Sequence, residues 1–429
     1  MSVRLAHKDR LSLFSSLSGF NNYRGLLNLC VILLAISCTR LVLDNIFKYG
    51  LLLDPFVLLE LYLRDPFNWP AATLVLSLNF NVLAAHFLEL FCVRDLVSVE
   101  LAHILHSINI AISFFLTPFT IAMIAPNPLT TLPALFASVI VCFKLISFKQ
   151  VNSFQRVQTQ LLMKERSGRQ RSVSALVVPN YKKMKDDMKV VYPYNLSIKK
   201  MYYFIFAPTL CYDLNYPCTG KFRPVFFARR LIEAIFLTAL SFAIIQQWII
   251  PSIYDSKMPL KDMDFYNLIG RILKLAIPEI FLWLIFFYTF FHSCLNILAE
   301  ILCFGDRFFY DDWWNAANVT EFWKKWNIPV HKWCSRHVYI PLRKSGFSSF
   351  KASLIVFLIS AFFHEMLVSV PLKMLRLHFF VGMVMQVPFA YFSSKCNEHY
   401  GNVFMWAVLI LGQPFLVLMY FHDYYYYAA

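Results

Sequence analysis

Residues 350–371 read FKASLIVFLISAFFHEMLVSVP. Past Lys351 the only ionisable side chains in this run are the neighbours His364 and Glu365. As a helix rising ~1.5 Å per residue, residues 351–371 reach ~31 Å, enough to cross the hydrocarbon core of a bilayer. Ionisable groups are expensive at that depth. Where they are kept, they face the inside of a helix bundle or a water-filled cavity, and they commonly serve a function.

The chain on either side repeats the pattern. Apolar runs of spanning length fall at about 26–47, 70–91, 101–124, 130–148, 226–250, 271–303, 374–393 and 402–422. With 351–371 these make about nine spans. The composition agrees: of 429 residues 59% are hydrophobic, 17% aromatic and only 15% charged. Only 11 glycines and no long alternating pattern speak against a β-barrel. The expected fold is therefore all-α, a polytopic membrane protein of about nine transmembrane helices enclosing an intramembrane reaction chamber, with interfacial helices on the cytosolic side.

A net charge of +15 would suggest nucleic acid in a soluble protein. In a membrane protein it points to cytosolic loops facing anionic headgroups, or to an anionic substrate, and no nucleic-acid partner is expected. Lys and Arg concentrate in residues 1–25, in a linker at 149–225 and in a loop at 304–350, which places all three in the cytosol by the positive-inside rule. On that orientation the sequons at Asn195 and Asn318 stay unmodified. Residues 1–25 are polar and basic, so insertion is expected to rely on the first span. The return loop after it holds Trp69 as an interfacial anchor, and the middle of the linker, 165–190, reads as flexible. Residues 202–212, YYFIFAPTLCY, are apolar but too short and proline-broken to span, and suit the interface. His103 and His106, three apart near a helix end, suit packing or the interface. The ten cysteines form no CxxC pair and no metal spacing; those in apolar runs (Cys30, Cys38, Cys142, Cys294, Cys303) read as buried thiols, and no metal is expected.

The loop at 309–340 reads FYDDWWNAANVTEFWKKWNIPVHKWCSRHVYI. Asn318 with Glu321 forms a helix start, and Val319, Phe322, Trp323 and Trp326 then recur at helical spacing opposite Lys324 and Lys325. This is an amphipathic helix for the cytosolic face of the membrane. A simple anchor does not need the added polar set Asp311, Asp312, Asn315, Asn327 and His331. Within the spans, Ser360 sits one turn before His364 on the same face. His292, Asn296 and Glu300 share a face of the helix before the loop, and Gln386 and Gln413 lie in the last two spans. A buried neutral imidazole can act as general base toward a hydroxyl. A structural histidine, or a proton or ion pathway, would show the same polarity. No P-loop, GxSxG elbow or metal cluster is present. Catalysis would then need a histidine, a bound hydroxyl and an already activated donor.

Phe309-Tyr310-Asp311-Asp312-Trp313-Trp314-Asn315 resembles the FYxDWWN motif of the sterol and diacylglycerol acyltransferase branch of the membrane-bound O-acyltransferases, with Asp311 where a basic residue is common. The stretches 326–334, 360–365 and 422–425 are most similar to the diacylglycerol-acylating members. The likeness runs from about Leu13 to Tyr425. It implies an enzyme of the endoplasmic reticulum membrane that moves an acyl group from acyl-CoA, a cosubstrate, to diacylglycerol, with no other cofactor. It further implies His364 as the catalytic residue, and beside it the polar residues Asn327, His331, Ser360, Glu365, Gln386 and Gln413 are read as supporting or acyl-CoA-binding. Membrane lipids and a homo-oligomer are the further implied partners. On this pattern residues 26–425 form the acyltransferase domain between a cytosolic segment, 1–25, and a tail, 426–429. Sterol acylation is the nearest alternative and transport a more distant one.

Overall fold

The computed structural model describes residues 24–54, 56, 70–124, 128–169, 190–254 and 265–428. Most of the basic lead, the return loop with Trp69 and linker residues 170–189 lie outside them. Helix α1, Arg24–Tyr49, belongs to a unit ending at Leu53; the rest of the chain, from Asp54, forms a second unit.

In the second unit α2 (Pro70–Val93), α3 (Val99–Ile124) and α4 (Pro128–Arg169) pack on one another. Leu74, Ile121, Leu135, Val139 and Phe143 fill the seam. Helix α4 runs well past the span expected to end at 148, so residues 165–169 of the supposedly flexible segment are helical. Buried polar contacts hold this extension. Glu89 is fully buried between Arg156 and the Tyr192 hydroxyl, each at 3.1 Å, with His106 at 3.5 Å. His106 is thus a packing residue, and His103 stays exposed.

Helix α5, Ile198–Phe206, is too short to span, as expected, and is started by the Ser197 cap and ended before Ala207-Pro208. It packs into protein: Met201 and Phe204 join Val82, Leu145 and Phe148. Lys144, buried within a spanning helix, donates to the carbonyls of Phe204, Ile205 and Ala207 at 2.7–2.8 Å and caps the helix end. At the sequon Asn195 is buried, its amide nitrogen bonded to Asn152 and Tyr212.

Helix α6, Pro224–Ile244, continues through a π-helical turn, Ile245–Ile249, to Tyr254. Helix α7, Phe265–Phe287, passes through a second π turn, Tyr288–Cys294, into α8, Leu295–Ile301. The loop folds into α9 (Val319–Trp326), α10 (Ile328–Cys334), a third π turn (Ser335–Tyr339) and α11 (Ile340–Lys344). Helix α12, Ser349–Leu372, carries His364, and α13 (His378–Val384), α14 (Gln386–Ser393) and α15 (Glu398–Ala428) complete the chain.

Among the described residues eight helices are long and apolar enough to cross a membrane. The segment expected as a further single span at 374–393 is two short helices, α13 and α14, separated at Met385. The cause is local: Pro388 has no N–H to donate to the carbonyl four residues back, that of Val384.

Two expectations change. The apolar face of α9 does not end at a lipid surface, because Val319 and Phe322 are buried in an aromatic core with Phe287, Phe291, Trp313 and Met405. Of the five cysteines expected to be buried only Cys142 is, while Cys30 is exposed and the other three are partly so. An apolar run guarantees burial in a bilayer, whereas a helix in contact with lipid exposes most of its own circumference to it. Where α15 meets the loop, Gly401 is required. A Cβ there would lie 2.0 Å from the Ala317 carbonyl oxygen.

Candidate active site

Helix α12 starts at Ser348, whose side chain accepts from the Lys351 N–H. His364 sits in mid-span. Its Nδ1 lies 2.8 Å from the Ser360 carbonyl oxygen and 3.4 Å from the Ser360 hydroxyl. A carbonyl only accepts, so Nδ1 carries the proton and Nε2 is left with its lone pair. The expected Ser360 contact is therefore made chiefly by backbone. His364 is exposed on the face of α12 that it occupies.

The wall beside it is aromatic and reaches the loop. Phe363 meets Phe143 edge to face, and Phe143 stacks on Trp333 with centroids 4.1 Å apart. The Trp333 indole N–H donates to the Phe143 carbonyl at 2.9 Å. The element carrying 309–340 is thus locked onto the histidine's helix through α4.

Glu365 is adjacent in sequence but directed elsewhere. It is buried, and it accepts from the backbone N–H groups of Leu377 (3.0 Å) and Phe380 (3.1 Å) and from the Tyr420 hydroxyl. Leu377, the residue before α13, is left-handed and has no side-chain cap of its own. Glu365 supplies that cap from α12 and ties α15 to it. No hydrogen bond joins it to His364.

The remaining expected residues divide. Gln386 and Gln413 are half-buried in α14 and α15, and none of the described residues bonds to either amide. Helix α13 packs on α12, and both α13 and α14 pack on α15. Asn327 caps α10 by accepting from the Val330 N–H at 3.2 Å, which leaves its amide nitrogen for other use. His331 is exposed in α10, and crowding by protein, then Lys324, lowers its pKa.

The motif residues mostly build the loop. Phe309 and Trp313 are buried; the Tyr310 hydroxyl lies 2.7 Å from His292 Nδ1; the Asp311 carboxylate accepts from the Asp312 N–H. Lys325 holds Asp312 and Glu321 at 2.7 Å each. These bonds lower both carboxylates' pKa values and raise that of the lysine. Asn315 reaches Asp312 at 3.5 Å, and the carbonyl of the exposed Trp314 accepts from Asn402. His292 and Asn296 face one cavity as expected, with Glu300 as counter-ion to Arg223 and Arg307 beside it.

Sequence reasoning passed over His337. It is buried in the third π turn, with Nδ1 2.6 Å from Gln150 and Nε2 2.8 Å from the Ser147 hydroxyl, which in turn accepts from the Tyr212 N–H. Its place in a basic stretch hid it; nothing local distinguishes it from its exposed neighbour Arg336. Burial, then Arg336, pushes its pKa down to about 4. The unfolded chain takes up this proton near the ordinary pKa of ~6.5. Stability from this group is thus complete above pH ~6.5 and declines as pH falls toward 4, because only the unfolded state gains a proton in that window. The thermal midpoint of the detergent-solubilised protein should fall from pH 7.5 to 5. A His337→Gln variant should lose part of that slope, and an unchanged slope would disprove the assignment.

Residues 103–422 match the membrane-bound O-acyltransferase family. Over 422 residues the chain is 47% identical to diacylglycerol O-acyltransferase 1 of Chlorocebus aethiops, covering 98% of this chain and 83% of that one. The corresponding Homo sapiens protein is also 47% identical over 422 residues, with 98% and 84% covered. Diacylglycerol O-acyltransferase 1-2 of Oryza sativa subsp. japonica is 38% identical over 410 residues, with 94% and 82% covered.

Proposed function

The chain belongs to the membrane-bound O-acyltransferase family, and from that premise we propose how its geometry performs acyl transfer. The protein is a multi-pass membrane enzyme that esterifies the free hydroxyl of diacylglycerol to make triacylglycerol. The activity for which the relatives are named supports this acceptor at high identity and nearly full coverage. Acyl-CoA is the activated donor.

His364 is the general base. The observation that carries this is the bond from Nδ1 to the Ser360 carbonyl, which supports a free Nε2 lone pair inside an apolar span. Nε2 takes the hydroxyl proton as the acceptor oxygen attacks the thioester carbonyl. The tetrahedral intermediate then expels the CoA sulfur, to which the imidazolium returns the proton. Both substrates are present together and no acyl-enzyme forms. The amides of Gln386 and Gln413, unpartnered among the described residues, and the Asn327 amide nitrogen are suited to orient the thioester and to donate to the developing oxyanion.

The reaction chamber lies between α12, α13–α14 and α15. CoA enters from the side of the 304–350 loop and diacylglycerol from the bilayer. That loop and the N-terminus face the cytosol, the enzyme resides in the endoplasmic reticulum, and it forms homo-oligomers.

The test is a competition in microsomes expressing the chain, with labelled acyl-CoA and equal diacylglycerol, cholesterol, retinol and fatty alcohol. Label should enter triacylglycerol predominantly. Predominant labelling of cholesteryl ester would replace the acceptor while leaving the chemistry.

A further inference from the structure

A second polar site lies where two spans end. One candidate span begins at Pro224 and another ends at Ile301. Between those ends is a cavity of ≈ 440 Å³ lined by Arg223, Phe226, His292, Asn296, Arg307 and Tyr310. Arg223 and Arg307 converge on Glu300, with N–O distances of 2.8 and 2.6 Å. Two guanidinium groups against one carboxylate leave one positive charge at the cavity. The Phe226 ring has three guanidinium groups around it, those of Arg223, Arg230 and Arg307, at 4.5, 5.2 and 5.4 Å from its centroid, and Arg230 is paired with Glu233 at 2.6 Å, so it adds no excess charge.

Further features favour an anion. Helix α6 starts here with no cap from its own side chain, its first N–H, that of Arg223, going to the Glu300 carboxylate at 2.6 Å, while the buried Arg307 Nε and Nη1 meet no acceptor among the described residues. His292 Nδ1 shares a hydrogen bond with the Tyr310 hydroxyl, and none of the described residues meets its Nε2; among the described residues Asn296 bonds only its own helix, through its nitrogen. Both therefore offer polar atoms deeper in the cavity. The outer face of α6 is apolar and bare, with Val225 82%, Ile232 68% and Ile235 63% exposed.

A soluble anion would use the arginines but not the apolar flank. An amphiphile uses both. We propose that this cavity binds the phosphodiester headgroup of a singly anionic phospholipid, with phosphate at Arg223 and Arg307, glycerol oxygens toward His292 and Asn296, and acyl chains along α6. The single excess charge matches a diester, and the depth matches the headgroup level of a bilayer. A zwitterionic lipid brings its own cation and gains less from the arginines. This site is independent of proton transfer at His364.

The experiment is titration of the detergent-purified full chain with dioctanoyl phosphatidylglycerol, read by thermal shift, with dioctanoyl phosphatidylcholine as zwitterionic control. Inorganic phosphate and coenzyme A serve as competitors. We expect saturable binding, at least tenfold tighter than the control and not displaced by coenzyme A. Arg223→Gln, which keeps the Arg307–Glu300 pair, should weaken it about tenfold or more, as loss of a charge-assisted contact does. Arg229→Gln removes the same charge from an exposed arginine outside the cavity and should change it less than twofold.

Equal loss in both variants would reduce the effect to diffuse attraction and overturn the site. Displacement by coenzyme A or by inorganic phosphate, each with the same variant dependence, would assign the cavity to the acyl donor or to free phosphate and overturn the lipid. If Arg223→Gln does not fold, photolabelling of the wild-type chain with a diazirine-bearing phosphatidylglycerol decides. Adducts in residues 222–236 or 292–310 support the proposal, and adducts confined elsewhere refute it.

Discussion

His364→Ala is expected to lower triacylglycerol formation by ~10²- to 10⁴-fold, the usual loss when a general base is removed. The protein should still accumulate and elute as the wild type does, because the ring's only hydrogen-bond partner among the described residues is in its own helix. Alanine at that position leaves the Ser360 carbonyl as it is in any helix, satisfied by backbone. Proton transfer is an interaction of the transition state, so kcat should fall while KM for acyl-CoA changes little. Ser360→Ala should cost far less, since its hydroxyl is the more distant contact. The rate is measured in microsomes with labelled acyl-CoA, normalised to folded enzyme. A His364→Ala enzyme that runs near the wild-type rate would end the assignment. A loss that only tracks the loss of folded protein would make the histidine structural.

The fold class and the place of this histidine were legible in the sequence. Both follow from one physical fact: a run such as 351–371 has few solutions other than a spanning helix, and an ionisable group within it stands out against its neighbours. The same test applied to Lys144 would have singled it out too, as an intramembrane lysine that closes the end of α5. Long-range pairing was not legible. Arg307 and Glu300 lie close in sequence, but nothing local indicates that Arg223 joins them. Glu89 gives no sign that it meets Arg156 and Tyr192. The split of 374–393 was in principle visible at Pro388, yet hydropathy averages over such a break. The three π turns, which hold Gln246, His292 and His337, follow from no residue pattern at all. Extra residues of this kind are frequent at functional sites because they turn a side chain off the helix's regular face.

Glu365 is where sequence adjacency misleads most, and it gives the second large effect. Neighbours on a helix point about 100° apart, so the residue beside a catalytic histidine need not share its cavity. Here the carboxylate has three donors: the N–H groups of Leu377 and Phe380 and the hydroxyl of Tyr420. It is only 3% exposed, and Glu365→Ala would take the acceptor from the buried Tyr420 hydroxyl and from the two part-buried N–H groups at once. Each buried group left without a partner costs about 1–3 kcal/mol, and the losses here fall on one junction between α12, α13 and α15. The expected result is a large drop in thermal midpoint and in recovered protein. Glu365→Gln should be milder, since it keeps one accepting oxygen, and Tyr420→Phe milder still, since it removes a single donor. Activity per folded molecule should hold its pH profile in all three, because no hydrogen bond joins Glu365 to His364. The opposite pattern, an alanine variant as stable as the wild type with a displaced pH profile, would mean that the carboxylate tunes the base electrostatically across the helix and would overturn its assignment as a cap.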